Sequence, residues 1–323
     1  MDWQRRSLRV GAWAVALAVA VRLISTGVPG RVLAWLRQPE TAAVLMYLET
    51  GKIFRPPPEE TVHETIPVTE PTETPPVLPA FSAEDAALVS VRDTSGNTAE
   101  IAALLETPLT WDLTDAAPTV LIYHTHATES YTQTLEETYT ESSDYRTLDT
   151  AYNMVSIGSR VEELLTQAGI GVVHAGTLHD YPSYDGGYDN SRETIRDALG
   201  REPELRLVLD LHRDAAVDAN GNQFATSATV DGRESAQIMF LIGTGHPNWQ
   251  ENMALAVKLT AQLERMYPGI TRGIITRTYD YNQDLSGGAI LVEVGAAGDT
   301  REKALVAAEA LAEAIILLAH GSG

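Results

Sequence analysis

Two histidines and a glutamate follow a strongly apolar segment and could bind a metal ion. The segment 120–123, Val-Leu-Ile-Tyr, has the composition of a buried strand. His124 and His126 come directly after it, two positions apart, so both side chains point to one face while the chain stays extended. Glu129 follows closely. Imidazole nitrogens and a carboxylate oxygen suit Zn²⁺. The same residues could instead be solvated or hydrogen-bonded groups at a strand end, because short histidine motifs also arise by chance.

Polar residues that could do chemistry also lie near the ends of two other apolar segments. The predicted strand 205–211 carries Asp210 and is followed by His212 and Arg213, and Glu293 interrupts an otherwise apolar segment near its end. A buried carboxylate is costly unless it is paired, protonated or functional. Each group alone could form a structural ion pair with an arginine. Because three strand ends carry such groups, we favour a shared functional site.

These residues would suffice for metal-assisted hydrolysis. His126, Glu129 and His212 would supply three ligands and leave the fourth position of a zinc ion for water, as in catalytic rather than structural sites. The metal would polarise a scissile carbonyl group. Glu293 would act as general base and then donate the proton to the leaving amine.

The elements needed to position these groups alternate along the second half of the chain. Apolar segments and longer segments with helical spacing follow one another, which predicts an α/β domain with a mostly parallel twisted sheet flanked by helices. In such sheets ligands bind at the carboxyl ends of the strands. The predicted helices are 150–168, 190–199, 248–266 and 300–318, and the later strands are 171–175, 205–211, 236–242, 274–278 and 289–294.

The first part of the chain has a different composition. Residues 1–30 contain a basic start and an apolar run, and we predict an uncleaved signal anchor that crosses a membrane once, although the sequence does not settle cleavage. Residues 31–54 have helical spacing and would form a juxtamembrane helix. Residues 55–79 are rich in Pro, Glu and Thr and predict an extended linker. Residues 80–116 form a lead-in to the predicted catalytic domain, 117–323.

Composition excludes several classes of protein. The chain has 44 acidic and 23 basic residues, so nucleic acid, whose binding requires neutralisation of phosphates, is not an expected partner. It contains no cysteine. Disulfides, thiolate-bound zinc and cysteine nucleophiles are therefore excluded, and a metal site must use His, Asp and Glu.

Taken together, the motifs resemble those of the stage II sporulation protein P family. The resemblance runs from about residue 117 to 320 and rests on five ordered segments: His-Thr-His-Ala-Thr-Glu-Ser-Tyr (124–131), Tyr-Asp-Asn-Ser-Arg (188–192), Asp-Leu-His-Arg-Asp-Ala (210–215), Asn-Met-Ala-Leu-Ala (252–256) and Tyr-Asn-Gln-Asp-Leu-Ser-Gly-Gly-Ala-Ile-Leu-Val-Glu-Val-Gly (281–295). Members of this family resemble zinc-dependent N-acetylmuramoyl-L-alanine amidases.

The resemblance implies a peptidoglycan hydrolase that cleaves between muramic acid and the stem peptide, with stem-peptide endopeptidase activity as a further possibility. It implies a role in septal wall thinning and engulfment during sporulation, beside stage II sporulation proteins D and M. With the predicted anchor, the catalytic domain would lie outside the cytoplasm, in the intermembrane space of the septum.

The resemblance also assigns residues. His126 and His212 match metal ligands and Glu293 matches the catalytic glutamate. In the wider amidase group the carboxylate ligand lies farther along the chain, near Asp149 here, so Glu129 and Asp149 both remain alternatives, and we favour Glu129.

Other polar residues would support this site. His124 and Asp210 are expected to contact the ligands rather than the metal. Arg192 and Arg213 are predicted to bind a carboxylate of the substrate, because guanidinium groups form paired bonds to carboxylates. Asn282 is predicted to bind substrate from the loop before the Glu293 strand, where it would shape the cleft. Each arginine could instead form an internal salt bridge. The remaining histidines, which have no metal-like spacing, are expected in loops or on the surface: His63, His174, His179 and His246.

Three other functions compete with this hypothesis. A non-catalytic, membrane-anchored wall-binding scaffold would use the cleft only for recognition and would need no zinc. An amidohydrolase-type barrel needs eight strands and more ligands than the chain offers after His124. A metallo-β-lactamase-like site would require Asp and His where Ala127 and Thr128 stand.

Overall fold

A computed structural model describes residues 80–109, 112–114, 117–217 and 221–321, all within one unit of dense internal contacts, Thr74–Gly323. The predicted anchor, juxtamembrane helix and linker lie outside these residues. In the part of the chain that the structure describes, no helix has the length and apolar character needed to cross a membrane.

The described chain forms five α-helices and nine strands, besides two short 3-10 helices, Ala83–Leu88 and Gln283–Leu285. The helices are α1 (Ile101–Glu106), α2 (Met154–Gln167), α3 (Gly187–Arg201), α4 (Trp249–Met266) and α5 (Arg301–Gly321). The strands are β1 (Val91–Asp93), β2 (Val120–Tyr123), β3 (Val172–His174), β4 (Leu207–Asp214), β5 (Ala228–Val230), β6 (Arg233–Ser235), β7 (Ile238–Gly243), β8 (Thr271–Arg277) and β9 (Ala289–Ala296).

Seven strands form one sheet in the order β1-β8-β7-β9-β4-β2-β3, and β5 and β6 form a separate hairpin. The pair β7–β9 is antiparallel, whereas the other neighbours in the large sheet are parallel. The prediction of a mostly parallel sheet is therefore confirmed. The antiparallel pair has a further consequence, because the carboxyl ends of β2, β3, β4 and β9 lie at one edge and those of β1, β7 and β8 lie at the opposite edge.

Helices cover both faces of the sheet, and strand alternation decides which side chains meet them. Every second residue of β2, β4 and β9 enters the larger core with α2, α4 and α5. The intervening residues, including Val208 and Ala289, pack with α3 in a smaller core. Because successive strand residues point to opposite faces, Asp210, His212 and Glu293 project on the α3 side.

The long elements form where the sequence predicts them, but β4 is longer than expected. The apolar run ends at Leu211, yet pairing with β9 continues past His212, opposite Glu293, to Asp214, with an irregularity in register after His212. His212 and Glu293 therefore lie within neighbouring strands, not beyond their ends. The hairpin β5–β6 was missed, although Asp231 and Gly232 at its turn, both with positive φ, are a common hairpin signal.

The lead-in segment 80–116 contributes to the same sheet. β1 pairs in parallel with β8 through Val91, Arg92 and Asp93. A short strand of mixed polarity carries too little periodicity to be assigned from sequence, and it forms here against the sheet edge that β8 offers.

Candidate metal centre

His126, Glu129 and His212 come together beside the carboxyl end of β2. The chain turns after β2, with the Glu129 amide donating to the His126 carbonyl oxygen at 3.1 Å. β4 brings His212 alongside, since β2 and β4 are neighbours. One ligand atom from each of the three residues lies within 4.8 Å of the others, and all three residues are buried. Two imidazoles and one carboxylate are thus placed as a possible metal-binding group.

One buried atom beside this group lacks a hydrogen bond, as expected where a reactant would bind: Oε2 of Glu293 has no partner among the described residues. Buried polar atoms are rarely left without partners. Nε2 of His212 faces the Asp210 carboxylate, 2.9 Å from Oδ1, whereas Nδ1 of His212 lies 3.5 Å from Oε2 of Glu129. Two imidazoles and one carboxylate are a donor set that fits a zinc ion held by three protein ligands.

Arg213 and His212 keep Glu129 ionised, and Arg146 also contacts its carboxylate. Its carboxylate lies 3.2 Å from a guanidinium nitrogen of Arg146 and 3.6 Å from one of Arg213, and it accepts the Arg213 backbone amide at 3.2 Å. Burial acts to raise the pKa of Glu129, but Arg213 and His212 outweigh it and hold that pKa well below its usual range. The carboxylate is therefore anionic and available to a cation.

Asp210 holds both the turn after β2 and His212. It accepts the Thr125 amide at 2.8 Å and the Thr125 hydroxyl at 2.7 Å. Although burial acts to lower the pKa of His212, the Asp210 carboxylate raises it well above the ordinary value. Without a metal His212 is therefore cationic, and metal binding must displace a proton from it.

The two histidines of the group, His126 and His212, differ in protonation state. The rings of His126 and His212 lie 5.1 Å apart, nearly perpendicular. Burial and the His212 cation lower the pKa of His126 to about 4, so its imidazole is neutral near pH 7. His126 is thus already in the form that binds metal.

Glu293 is placed beside these ligands on β9. Its Cα position pairs with His212 across the two neighbouring strands. Burial, together with the nearby Glu129 charge, raises the pKa of Glu293 to about 8, although His212 opposes the shift. A carboxyl group of this kind can exchange a proton near neutral pH, as a general base requires.

Comparison with known proteins identifies the family. The model of "Stage II sporulation protein P (SpoIIP)" matches residues 57–316, most of the chain. This chain belongs to the Stage II sporulation protein P family. The resemblance inferred from the motifs is therefore confirmed.

A relative supports the same assignment. Stage II sporulation protein P of Bacillus subtilis (strain 168) is 30% identical over 205 residues, which are 60% of this chain and 49% of that protein. The chain thus spans about half the length of this relative.

Two solved amidase structures show weaker likeness. N-acetylmuramoyl-L-alanine amidase AmiC2 of Nostoc punctiforme is 17% identical, with 61% of this chain and 94% of that chain covered and a TM-score of 0.35. The CwlD amidase from Clostridioides difficile, in complex with the GerS lipoprotein, is 14% identical, with 62% and 95% covered and a TM-score of 0.40. Scores at this level assign neither a fold nor an activity.

Asp149 is not a member of the metal-binding group. Its side chain accepts the amide of Ala151 at 3.0 Å, a local turn contact, and the residue is exposed. Glu129 is the carboxylate that the structure brings to His126 and His212. The choice of Glu129 over Asp149 remains a prediction about metal binding, now supported by position.

The predicted substrate-binding residues are engaged with other protein groups. Arg192 donates to Asn282 at 3.1 Å and to Asp284 at 2.8 Å. Arg213 is buried and donates to the carbonyl oxygens of Ser130 and Tyr145 at 3.0 and 3.1 Å. Substrate binding by Arg192, Arg213 and Asn282 stays a prediction, and the contacts show that all three also organise the site.

The histidines without metal-like spacing were expected in loops or on the surface. His179 and His246 do lie in loops but are buried, whereas His174 lies in β3. His124, which was expected beside the ligands, is buried, with Nδ1 3.0 Å from the Leu211 carbonyl oxygen and Nε2 2.9 Å from Nε2 of His174. His174 in turn contacts Glu162. Single histidines carry no periodicity, so their burial followed only from the fold, and His63 lies outside the described residues.

Sequence reasoning also missed an aromatic neighbour and an ion pair. The Tyr184 ring stacks on His126 at 4.3 Å, and Arg146 lies over Tyr184 at 4.7 Å. Arg146 also pairs with Asp180 at 2.6 Å. These residues lie in loops with no motif spacing, so no sequence signal pointed to them.

Proposed function

We propose that this protein is a peptidoglycan hydrolase, a zinc-dependent N-acetylmuramoyl-L-alanine amidase. One observation carries the proposal: the buried group His126, Glu129 and His212 lies beside the unpaired carboxyl group of Glu293. Membership of the Stage II sporulation protein P family supports the wall as the substrate.

The division of labour follows from the geometry. His126, Glu129 and His212 would hold the metal. A bound zinc ion supplies a Lewis acid that polarises the scissile carbonyl group and makes water more acidic. Glu293, through Oε2, would take a proton from the attacking water and deliver it to the leaving amine nitrogen. Asp210 fixes the turn after β2 and orients His212.

Wider aspects of the proposal come from the family. We place the protein in septal wall thinning and engulfment during sporulation, with stage II sporulation proteins D and M as partners and with a single-pass anchor in the cell membrane. The catalytic domain would then face the intermembrane space. Cleavage within the stem peptide is a further activity to test.

The test uses the full-length protein with purified peptidoglycan, first as prepared, then with a chelator, then with zinc restored. Mass spectrometry identifies the released fragments. We expect free stem peptides only when metal is present. If no stem peptide is released under any metal condition, even with stage II sporulation proteins D and M supplied, the proposal is contradicted and a wall-binding scaffold is favoured.

Two variants separate ligand from catalyst. Glu293→Ala should retain zinc but lose turnover by at least about a hundredfold, the typical contribution of general base catalysis. His212→Ala should lose both zinc and turnover. Atomic absorption measures the zinc content of each variant, and release of peptidoglycan fragments measures its turnover. Equal zinc loss in both variants would make Glu293 a ligand instead.

A further inference from the structure

Four tyrosines form a continuous aromatic surface beside the metal-binding group, which we call the tyrosine ridge: Tyr184, Tyr188, Tyr279 and Tyr281. The ridge begins at His126, whose ring is stacked on Tyr184 at 4.3 Å and lies 5.5 Å from Tyr188. It continues from Tyr188 to Tyr279 and Tyr281, each 5.6 Å away.

The outer part of the ridge is open to solvent. Tyr279 is 57% exposed, whereas its ring touches only Tyr188 and Tyr281 among the aromatic rings of the described chain. An exposed aromatic ring contributes less to the stability of the fold than a buried one. A group of such rings beside a reactive site therefore indicates a binding surface.

The loop that carries the outer ridge is held in an uncommon conformation. Tyr281 and Asn282 both have positive φ, 52° and 59°, which costs free energy in residues other than glycine. Side-chain bonds maintain this conformation. Asn282 donates to the Tyr188 carbonyl oxygen at 2.9 Å, and the Gln283 side chain accepts the Gly243 amide at 2.9 Å.

Close packing against β7 also holds this loop in its conformation. A Cβ atom on Gly243 would lie 2.3 Å from the Tyr279 carbonyl oxygen, so only glycine permits this approach. The loop is therefore fixed by contacts from α3, β7 and its own side chains. Tyr281, one of the two residues with positive φ, is thereby held against the ring of Tyr188.

We propose that the tyrosine ridge binds a sugar ring of the glycan strand. This inference rests on the proposed function, because the bond cleaved by such an amidase joins a sugar substituent to a peptide. With the carbonyl carbon at the metal-binding group, the sugar must lie within a few ångströms of it. The apolar C–H face of a pyranose fits the negative face of a tyrosine ring, and the phenol hydroxyls can bond the sugar hydroxyl and acetamido groups.

The charges beside the ridge are compatible with a neutral ligand. Two guanidinium groups there are already paired with carboxylates, Arg146 with Asp180 and Arg192 with Asp284, and a third, that of Arg277, donates to the Thr94 hydroxyl. An N-acetylated sugar needs no countercharge, whereas the carboxylates of a stem peptide would. The net charge of −21 does not oppose a neutral ring.

The test is binding of a neutral β-1,4-linked N-acetylglucosamine oligomer to the full-length, zinc-loaded protein by calorimetry. Tyr279→Ala should weaken binding about three- to tenfold, the effect of one aromatic contact. Tyr279→Phe should retain it, because the ring remains. Tyr181→Ala is the matched control, since this tyrosine is 55% exposed but makes none of the ring contacts of the ridge. Circular dichroism and zinc content should be unchanged in all three variants.

The outcomes are separable from those of the proposed function. Absence of oligomer binding by the unmodified protein, or equal affinity in Tyr279→Ala, would overturn the inference whatever the amidase assay shows. Weaker binding of a sugar-free stem peptide in Tyr279→Ala, with oligomer binding unchanged, would overturn it in favour of a peptide subsite. Oligomer binding that depends on Tyr279 without any amidase activity would leave the sugar subsite intact and remove the proposed reaction.

Discussion

Replacing Glu293 by glutamine should stabilise the metal-free protein at alkaline pH while removing its catalytic group. Burial raises the pKa of Glu293 from 4.5 to about 8, and Oε2 has no hydrogen-bond partner. The folded protein therefore keeps a proton that the unfolded chain has already lost between these pH values. Stability must then fall as pH rises through that window, and the loss is complete above pH 8.

The magnitude follows from the two pKa values. Each pKa unit corresponds to about 1.4 kcal/mol, so the shift sets an upper limit of about 5 kcal/mol on the destabilisation above pH 8. Water entry and side-chain rotation relieve part of this cost, and we expect about 2 kcal/mol. Below pH 4.5 the carboxyl group is neutral in both states. There glutamine should be neutral or slightly destabilising, because its amide also needs partners.

The assay is thermal unfolding in excess chelator at several pH values from 5 to 9. Glu293→Gln should have a Tm close to that of the unmodified protein at pH 5 and a higher Tm at pH 9. Glu136→Gln, at an exposed position, controls for the loss of one negative charge. Parallel Tm curves for Glu293→Gln and the unmodified protein would refute the reasoning, because they would show that Glu293 does not titrate differently in the fold.

Two further predictions concern the ligands and the loop. Glu129→Gln should lower zinc affinity by at least about tenfold, whereas Asp149→Asn should leave it unchanged, as measured by competition with a chromogenic chelator. The reverse result would move the third ligand to Asp149. Gly243→Ala should destabilise the protein by about 1–3 kcal/mol in urea unfolding, because its Cβ would meet backbone oxygen at 2.3 Å. Gly200→Ala in α3, where no atom lies within 4 Å, should be neutral or stabilising, and equal effects would contradict the packing argument.

The architecture was predictable where one physical signal dominates. The apolar runs of β2, β4 and β9 are uninterrupted enough to predict buried strands, and helical spacing predicted α2, α4 and α5 close to their observed bounds. The direction of β7 relative to β9 was not predictable. Both are short apolar strands, and parallel and antiparallel neighbours bury the same side chains. Only the path of the intervening α4 and β8 determines it.

The metal-binding group was predictable because its members follow apolar runs in a recognisable order. His212 reaches it from β4, and His126 reaches it from the turn that follows the neighbouring parallel strand β2. The tyrosine ridge was not predictable, because its rings come from α3 and from a loop far away in sequence. Their contact depends on the positive φ angles of Tyr281 and Asn282. Positive φ angles at residues other than glycine cannot be predicted from the residue type.

The charged neighbours of Glu129 and His212 have opposite effects on their readiness to bind a metal. Arginines lie beside Glu129, and an aspartate lies beside His212. Arg213 and His212 keep Glu129 ionised, so a cation meets no proton there, although it must compete with the guanidinium groups of Arg213 and Arg146. Asp210 does the opposite for His212, since it favours the imidazolium form that cannot bind metal. Once the proton has left, however, Asp210 can accept an N–H from the imidazole and orient the ring. The same carboxylate would thus make metal binding depend on pH and would orient His212 once a metal is bound.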